Sequence, residues 1–160
     1  MEIESGVALA VAGAAMAAVL GGIGSSFGVG LAGQAGTGVI SEKPELFGKI
    51  LLLQALPGTQ GIYGFLGALL ILIKIGLIGG APIEIDMSTG WQFFGAGIPV
   101  GLAGLVSGIY QGKVSAAGLN SVAKDPANTG KAVIMAAMVE TYAVLGLLVS
   151  VLLIFGIKVA

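Results

Sequence analysis

Apolar residues fill this chain in four long blocks separated by short polar interruptions, and no block keeps the narrow stripe of a helix lying on a soluble core. The breaks fall at Ser41-Glu42-Lys43-Pro44-Glu45, between about 78 and 90, and at Lys124-Asp125-Pro126-Ala127-Asn128. They predict helices over 5–40, 44–78, 90–123 and 126–158, with a proline placed to open the second and the fourth. Each helix would be roughly 45 to 50 Å long at the helical rise. A hydrocarbon layer is ~30 Å thick, so helices of this length must tilt or protrude.

The blocks are related in pairs. A gapless shift of 82 residues superposes Gly13 on Gly95, Gly22 on Gly104, Ser25 on Ser107, Gly30 on Gly112, Pro44 on Pro126, Gly48 on Gly130, Lys49 on Lys131 and Gly64 on Gly146. Compositional bias could align glycines, but not Pro-x-x-x-Gly-Lys twice. The chain is read as a duplicated helical hairpin, repeated over 5–78 and 90–158 within one membrane domain, 1–160. Each copy crosses the bilayer an even number of times, so the two share one orientation.

Composition sharpens this. With 56% hydrophobic and 9% charged residues, 160 residues carry more apolar surface than a soluble domain can hide. Zero cysteines and zero histidines exclude disulfide and thiolate chemistry and the usual zinc ligands. The seven cations are lysines spread thinly, which gives no nucleic-acid footprint. The start, Met1-Glu2-Ile3-Glu4, is acidic where a signal peptide is basic, so no cleavage is expected. Lys43, Lys49, Lys124 and Lys131 gather at the two tight turns, whereas the middle connection carries Glu84 and Asp86. That asymmetry puts turns 41–45 and 124–128 in the cytoplasm and both termini outside.

Glycine crowds the first and third helices, as in Gly104, Gly108 and Gly112, where spacing by four lets backbones approach. Bulk lies in the other two, in Leu66, Leu69, Leu70, Ile71, Leu72 and Ile73 and again in Leu147, Leu148, Val151, Leu152, Leu153 and Phe155, which suit contact with lipid. Thin helices inside and thick ones outside fit a closed ring, with a glycine-seamed four-helix bundle as the alternative. Gly28-Val29-Gly30-Leu31-Ala32-Gly33 spells a dinucleotide fingerprint, but no strand precedes it and it is read as packing.

Seven of the eight acidic residues fall at ends or turns, which leaves Glu140 alone inside an apolar stretch. A carboxylate there costs several kcal/mol and marks a functional site by default. Counted along the helices, Glu140, Thr59, Gln60 and Gln111 all lie about 18 to 24 Å from the tight turns. Pro57-Gly58 interrupts the second helix at the same level and frees a backbone carbonyl, that of Leu53 by simple helix geometry. Carboxylate, hydroxyl, amide and carbonyl oxygens together suit a hard cation, Na⁺ being the natural occupant. The alternatives are a proton carried on Glu140, or amides that serve only as hydrogen-bond glue between helices. Under the shift Glu140 corresponds to Gly58 and Gln111 to Val29, so four helices carry one such site.

Leu56-Pro57-Gly58-Thr59-Gln60-Gly61-Ile62-Tyr63-Gly64, Gln111-Gly112-Lys113 and Met138-Val139-Glu140-Thr141-Tyr142-Ala143 resemble the K subunits of bacterial V-type sodium ATPases, the duplicated proteolipids or c-type rotor subunits, and the likeness covers essentially the whole chain. The resemblance implies an all-α membrane protein of two tandem hairpins assembled into a homo-oligomeric rotor ring. It implies no catalysis by the chain itself, but Na⁺ translocation across the cell membrane coupled to ATP hydrolysis in a separate soluble head. It implies Na⁺ ligands at the Leu56 carbonyl, Thr59, Gln60, Gln111 and Glu140, with Tyr63 bonding the carboxylate. Leu56 in place of Leu53 would require local unwinding after Pro57. Implied partners are further copies of the chain, lipid, a stator membrane subunit supplying an arginine, and central-stalk subunits at the cytoplasmic turns. A proton-carrying ring, a dimeric secondary transporter and a pore or structural membrane protein are the remaining readings, and Tyr110 and the acidic 78–90 connection have no assigned role.

Overall fold

The computed structural model describes residues 5–80 and 83–159; the acidic start at 1–4 and two positions of the middle connection, 81–82, lie outside the described residues. Four helical arms result, each long and apolar enough to cross a membrane: Ser5–Glu42, Pro44–Lys74, Met87–Lys124 and Pro126–Gly156. Helix α1 is Ser5–Glu42. The second arm comprises α2, Phe47–Ala55, a 3-10 turn at Leu56–Gly58, and α3, Thr59–Lys74. Helix α4 is Met87–Lys124 and α5 is Thr129–Gly156. Pro44 and Pro126 each open their arm through a 3-10 turn, Pro44–Leu46 and Pro126–Asn128, where a missing N–H costs nothing.

The bounds depart from expectation in all four arms, the first by running on to Glu42 rather than ending at 40. The second arm stops at Lys74 rather than 78, because Gly76 takes a left-handed φ of 73°. Its N–H then reaches the Ile73 carbonyl at 3.0 Å and that of Leu77 the Leu72 carbonyl at 3.0 Å, a Schellman closure. The third arm begins at Met87 rather than 90, since Asp86 caps it by accepting the Thr89 N–H at 2.8 Å. The Thr89 side chain, and after it the Thr89 N–H, hold the Asp86 carboxyl below the usual aspartate range, and part of the acidic connection is thereby explained as a helix start. The fourth arm ends at Gly156 rather than 158.

Packing follows the glycines. Gly6 meets Gly90, Gly13 meets Gly97, Gly24 meets Gly108 and Gly28 meets Gly112, so α1 and α4 run parallel with backbones touching. A Cβ on Gly108 would stand 2.6 Å from the Gly24 carbonyl carbon. The outer arms seat in the same way in both hairpins: Gly64 lies on the Ala17 carbonyl and Gly146 on that of Pro99, Gly36 faces Ile50 and Gly118 faces Ala132. Lys43 Nζ donates to the Ala123 carbonyl and Lys49 Nζ to that of Pro126, which ties the two tight turns together at one end.

Half of the twelve bulky outer-arm residues are exposed, Leu152 at 73% and Phe155 at 63% among them, whereas five are half-buried, of which Leu70 and Leu72 pack against the core. Ile71 is a correction, fully buried against Ala10, Ala14 and Phe93 rather than turned to lipid. That cluster forms one end of the core, and Ala32, Ile50, Leu53 and Leu119 form the other. Between them the buried residues are mostly glycine and polar side chains: Ser25, Gln60, Ser107 and Gln111.

Candidate functional site

The site begins with the break in the second arm. Pro57 has no N–H, and the chain around it tightens into the 3-10 turn Leu56–Gly58. The Leu56 carbonyl therefore takes the Thr59 N–H, three residues on, as a 3-10 turn requires. The Thr59 hydroxyl also donates to that carbonyl, at 3.0 Å. One turn later the Gly61 N–H donates to the Ser25 hydroxyl of α1 at 2.7 Å, so the interrupted arm is pinned to the inner helix at the level of the site.

From this pinned segment Gln60 and Tyr63 reach toward α4 and α5. Gln60 Nε2 donates to Gln111 Oε1 at 2.6 Å. Gln111 Nε2 donates to the Ala136 carbonyl at 3.1 Å and, more weakly, to Glu140 Oε2 at 3.3 Å. The Tyr63 hydroxyl donates to Glu140 Oε1 at 2.6 Å. Both glutamines are fully buried. Gln60 Oε1 is buried without a hydrogen-bond partner, a costly state for an acceptor unless something else occupies it.

Four of the expected residues, Gln60, Tyr63, Gln111 and Glu140, thus form one connected network drawn from three helices. Thr59 and Leu56 form a separate local pair beside it, and among the described residues no hydrogen bond joins that pair to the carboxylate. The residue missed in the sequence is Ser25. Its only signal was a hydroxyl in a glycine-crowded helix, repeated as Ser107, and which amide it would meet depends on the rotation of α1 against α3.

Chemically, the network holds a carboxylate by one oxygen and leaves the other facing an amide. It contains no nucleophile activated by a base. Its donors and acceptors suit holding a ligand rather than reacting with one, and it lies about halfway along the apolar arms.

A lone carboxylate halfway along the apolar arms of a duplicated membrane hairpin fits one class, the proteolipids of rotary ATPases, and similarity to known proteins agrees. The chain matches the ATP synthase C-subunit family twice, over residues 12–71 and 94–153, and it belongs to that family. It is an ion-carrying rotor proteolipid, a multi-pass membrane subunit without catalytic activity of its own. It is 47% identical over 153 residues to the V-type sodium ATPase subunit K of Enterococcus hirae, covering 96% of this chain and 94% of that one. It is 43% identical over 149 residues to the A-type ATP synthase subunit K of Methanocaldococcus jannaschii, covering 93% of this chain and 63% of that longer protein. It is 31% identical over 143 residues to the 16 kDa proteolipid of the V-type proton ATPase of Nephrops norvegicus, covering 89% and 87%.

Proposed function

We propose that this subunit binds one Na⁺ at Glu140 and carries it across the membrane as a ring of copies turns, driven by ATP hydrolysis in a soluble head. The observation that carries the choice of ion is the orphaned Gln60 Oε1, a hard oxygen on a side chain that bonds Gln111, which in turn bonds the carboxylate. A proton carrier has no use for it. The relative from Enterococcus hirae, named as a sodium ATPase subunit, supports the same reading.

In this mechanism Tyr63 fixes Glu140 Oε1, leaving Oε2 to face the ion with the Gln60 and Gln111 side-chain oxygens. Thr59 and the Leu56 carbonyl complete the shell from the 3-10 turn. Neutralised by Na⁺, the site crosses the lipid face without an exposed charge. Emptied at the stator, Glu140 pairs with a cation there, an arginine by resemblance to the family. A membrane potential adds about 2.3 kcal/mol per charge per 100 mV to each ion moved. The lysines at the tight turns favour a cytoplasmic placement for that end, where central-stalk subunits would bind.

Gln60→Leu is the test. With Na⁺ as cargo, the concentration that half-saturates the assembled complex rises by roughly 10-fold, equivalent to about 1.4 kcal/mol. If Gln60 only glues helices, Leu of similar size is tolerated and half-saturation stays where it was. Sodium-dependent ATPase activity of the complex reads the difference.

A further inference from the structure

Helix α3 starts partway along an apolar arm, directly after the 3-10 turn at Leu56–Gly58, and a helix start leaves its first N–H groups without partners inside the helix. At many helix starts the residue in the cap position offers a side-chain oxygen to the third of them. Here that residue is Gly58, which has no side-chain oxygen to offer. The third N–H of α3 belongs to Gly61, and it donates to the Ser25 hydroxyl of α1 at 2.7 Å. Ser25 is thus a cap supplied across the seam by a different helix. It is 8% exposed, and a Cβ on Gly61 would stand 3.3 Å from both its Cβ and its Oγ, which leaves little room there for a residue larger than glycine.

The repeat supplies the comparison. One repeat later Ser25 reads Ser107, Gly61 reads Ala143 and Pro57 reads Val139. Helix α5 runs unbroken from Thr129 to Gly156, so the Ala143 N–H lies inside a continuous helix and bonds the carbonyl four residues back. The Ser107 hydroxyl is buried and has no partner. A serine at this place in the repeat is used only where proline has cut the facing helix. The cut is also where the second arm supplies the site: Thr59 and Gln60 precede Gly61, and Tyr63 follows it.

We propose that Ser25 is a positioning residue for the ion site, a cap that holds Thr59 and Gln60 in the arrangement Na⁺ requires. The inference rests on the sodium reading above and concerns a residue that supplies no ligand. With the hydroxyl gone, the Gly61 N–H turns to the Pro57 carbonyl four residues back, which extends α3 backward at the expense of the 3-10 turn. Gln60 lies in the stretch that rewinds, so its bond to Gln111 and its free Oε1 move with it. Sodium must then select the capped arrangement from a mixture, and apparent affinity falls by the fraction of subunits that keep it.

Binding of radioactive sodium to detergent-purified rings of the full-length chain tests this. Ser25→Ala should raise the half-saturating Na⁺ concentration by roughly 5-fold, with the number of ions bound per subunit unchanged. Two controls separate positioning from general support. Ser107→Ala removes the idle counterpart and should change nothing. Ser150→Ala removes a comparable buried bond, which its hydroxyl accepts from the Val100 N–H at 3.0 Å, but about 15 Å along α5 from Glu140. It should lower the melting temperature of the ring without shifting half-saturation. If Ser25→Ala rings do not assemble, Ser25→Cys, close in size and a weaker acceptor, is read in their place with the same direction expected. Half-saturation unmoved by loss of the Ser25 hydroxyl, or moved as far by Ser150→Ala, overturns the positioning role and leaves the sodium reading standing. A ring of the unaltered chain that binds no sodium removes both.

Discussion

Glu140→Gln abolishes ion transport by the assembled complex and leaves rings of normal size. Glutamine keeps the shape and can still accept from Tyr63, which donates to Glu140 Oε1 at 2.6 Å, so the contacts that position α5 survive. What disappears is the charge. Without it no cation is neutralised at the site and no pairing with a stator cation discharges it, so the cycle has neither a loaded nor an empty state to alternate between. Radioactive sodium uptake into vesicles carrying the reconstituted complex reads the loss, and sizing of the purified ring reads the assembly. Normal pumping by a ring made wholly of the variant would remove Glu140 from the mechanism.

Gly112→Leu has a comparably large effect for a different reason. A Cβ at Gly112 would stand 2.7 Å from the Gly28 carbonyl carbon and closer still to its oxygen and Cα, all backbone atoms of α1 that cannot rotate aside. Overpacking in a yielding core costs about 1 to 3 kcal/mol, and here the neighbour is rigid. The α1–α4 seam opens, Gln111 one residue earlier leaves Gln60, and folded protein should be nearly absent from the membrane. Gly48→Leu, where a Cβ meets nothing within 4 Å, should accumulate normally. Quantifying protease-resistant protein in the membrane for the two variants makes the comparison.

The sequence carried much of this because hydropathy, proline and the repeat are local or periodic signals. Four arms, the turns at Pro44 and Pro126 and the level shared by Gln60, Gln111 and Glu140 all follow from counting along helices. What could not be counted depends on how helices rotate against one another. Ser25 meets the Gly61 amide, and Ile71 turns inward, only because glycine contacts set the angle between α1 and α3. The end of the second arm was overrun because Ile75, Leu77 and Ile78 continue the apolar pattern, while the stop comes from the backbone of Gly76. Asp86 looked like loop acidity until its side chain closed on Thr89. The turn around Pro57 sits between these cases: proline announces a break, but the tightening that brings both the N–H and the hydroxyl of Thr59 onto the Leu56 carbonyl is a choice of local geometry.

Carbodiimide labelling of the purified protein at mildly acidic pH reads the proposed occupancy of Glu140 by Na⁺. The reagent attacks a protonated carboxyl, so a cation bound there protects it. With Na⁺ as cargo, millimolar NaCl suppresses labelling at Glu140 and equal KCl does not. Labelling that follows pH alone, indifferent to Na⁺, would contradict it and make the proton the cargo.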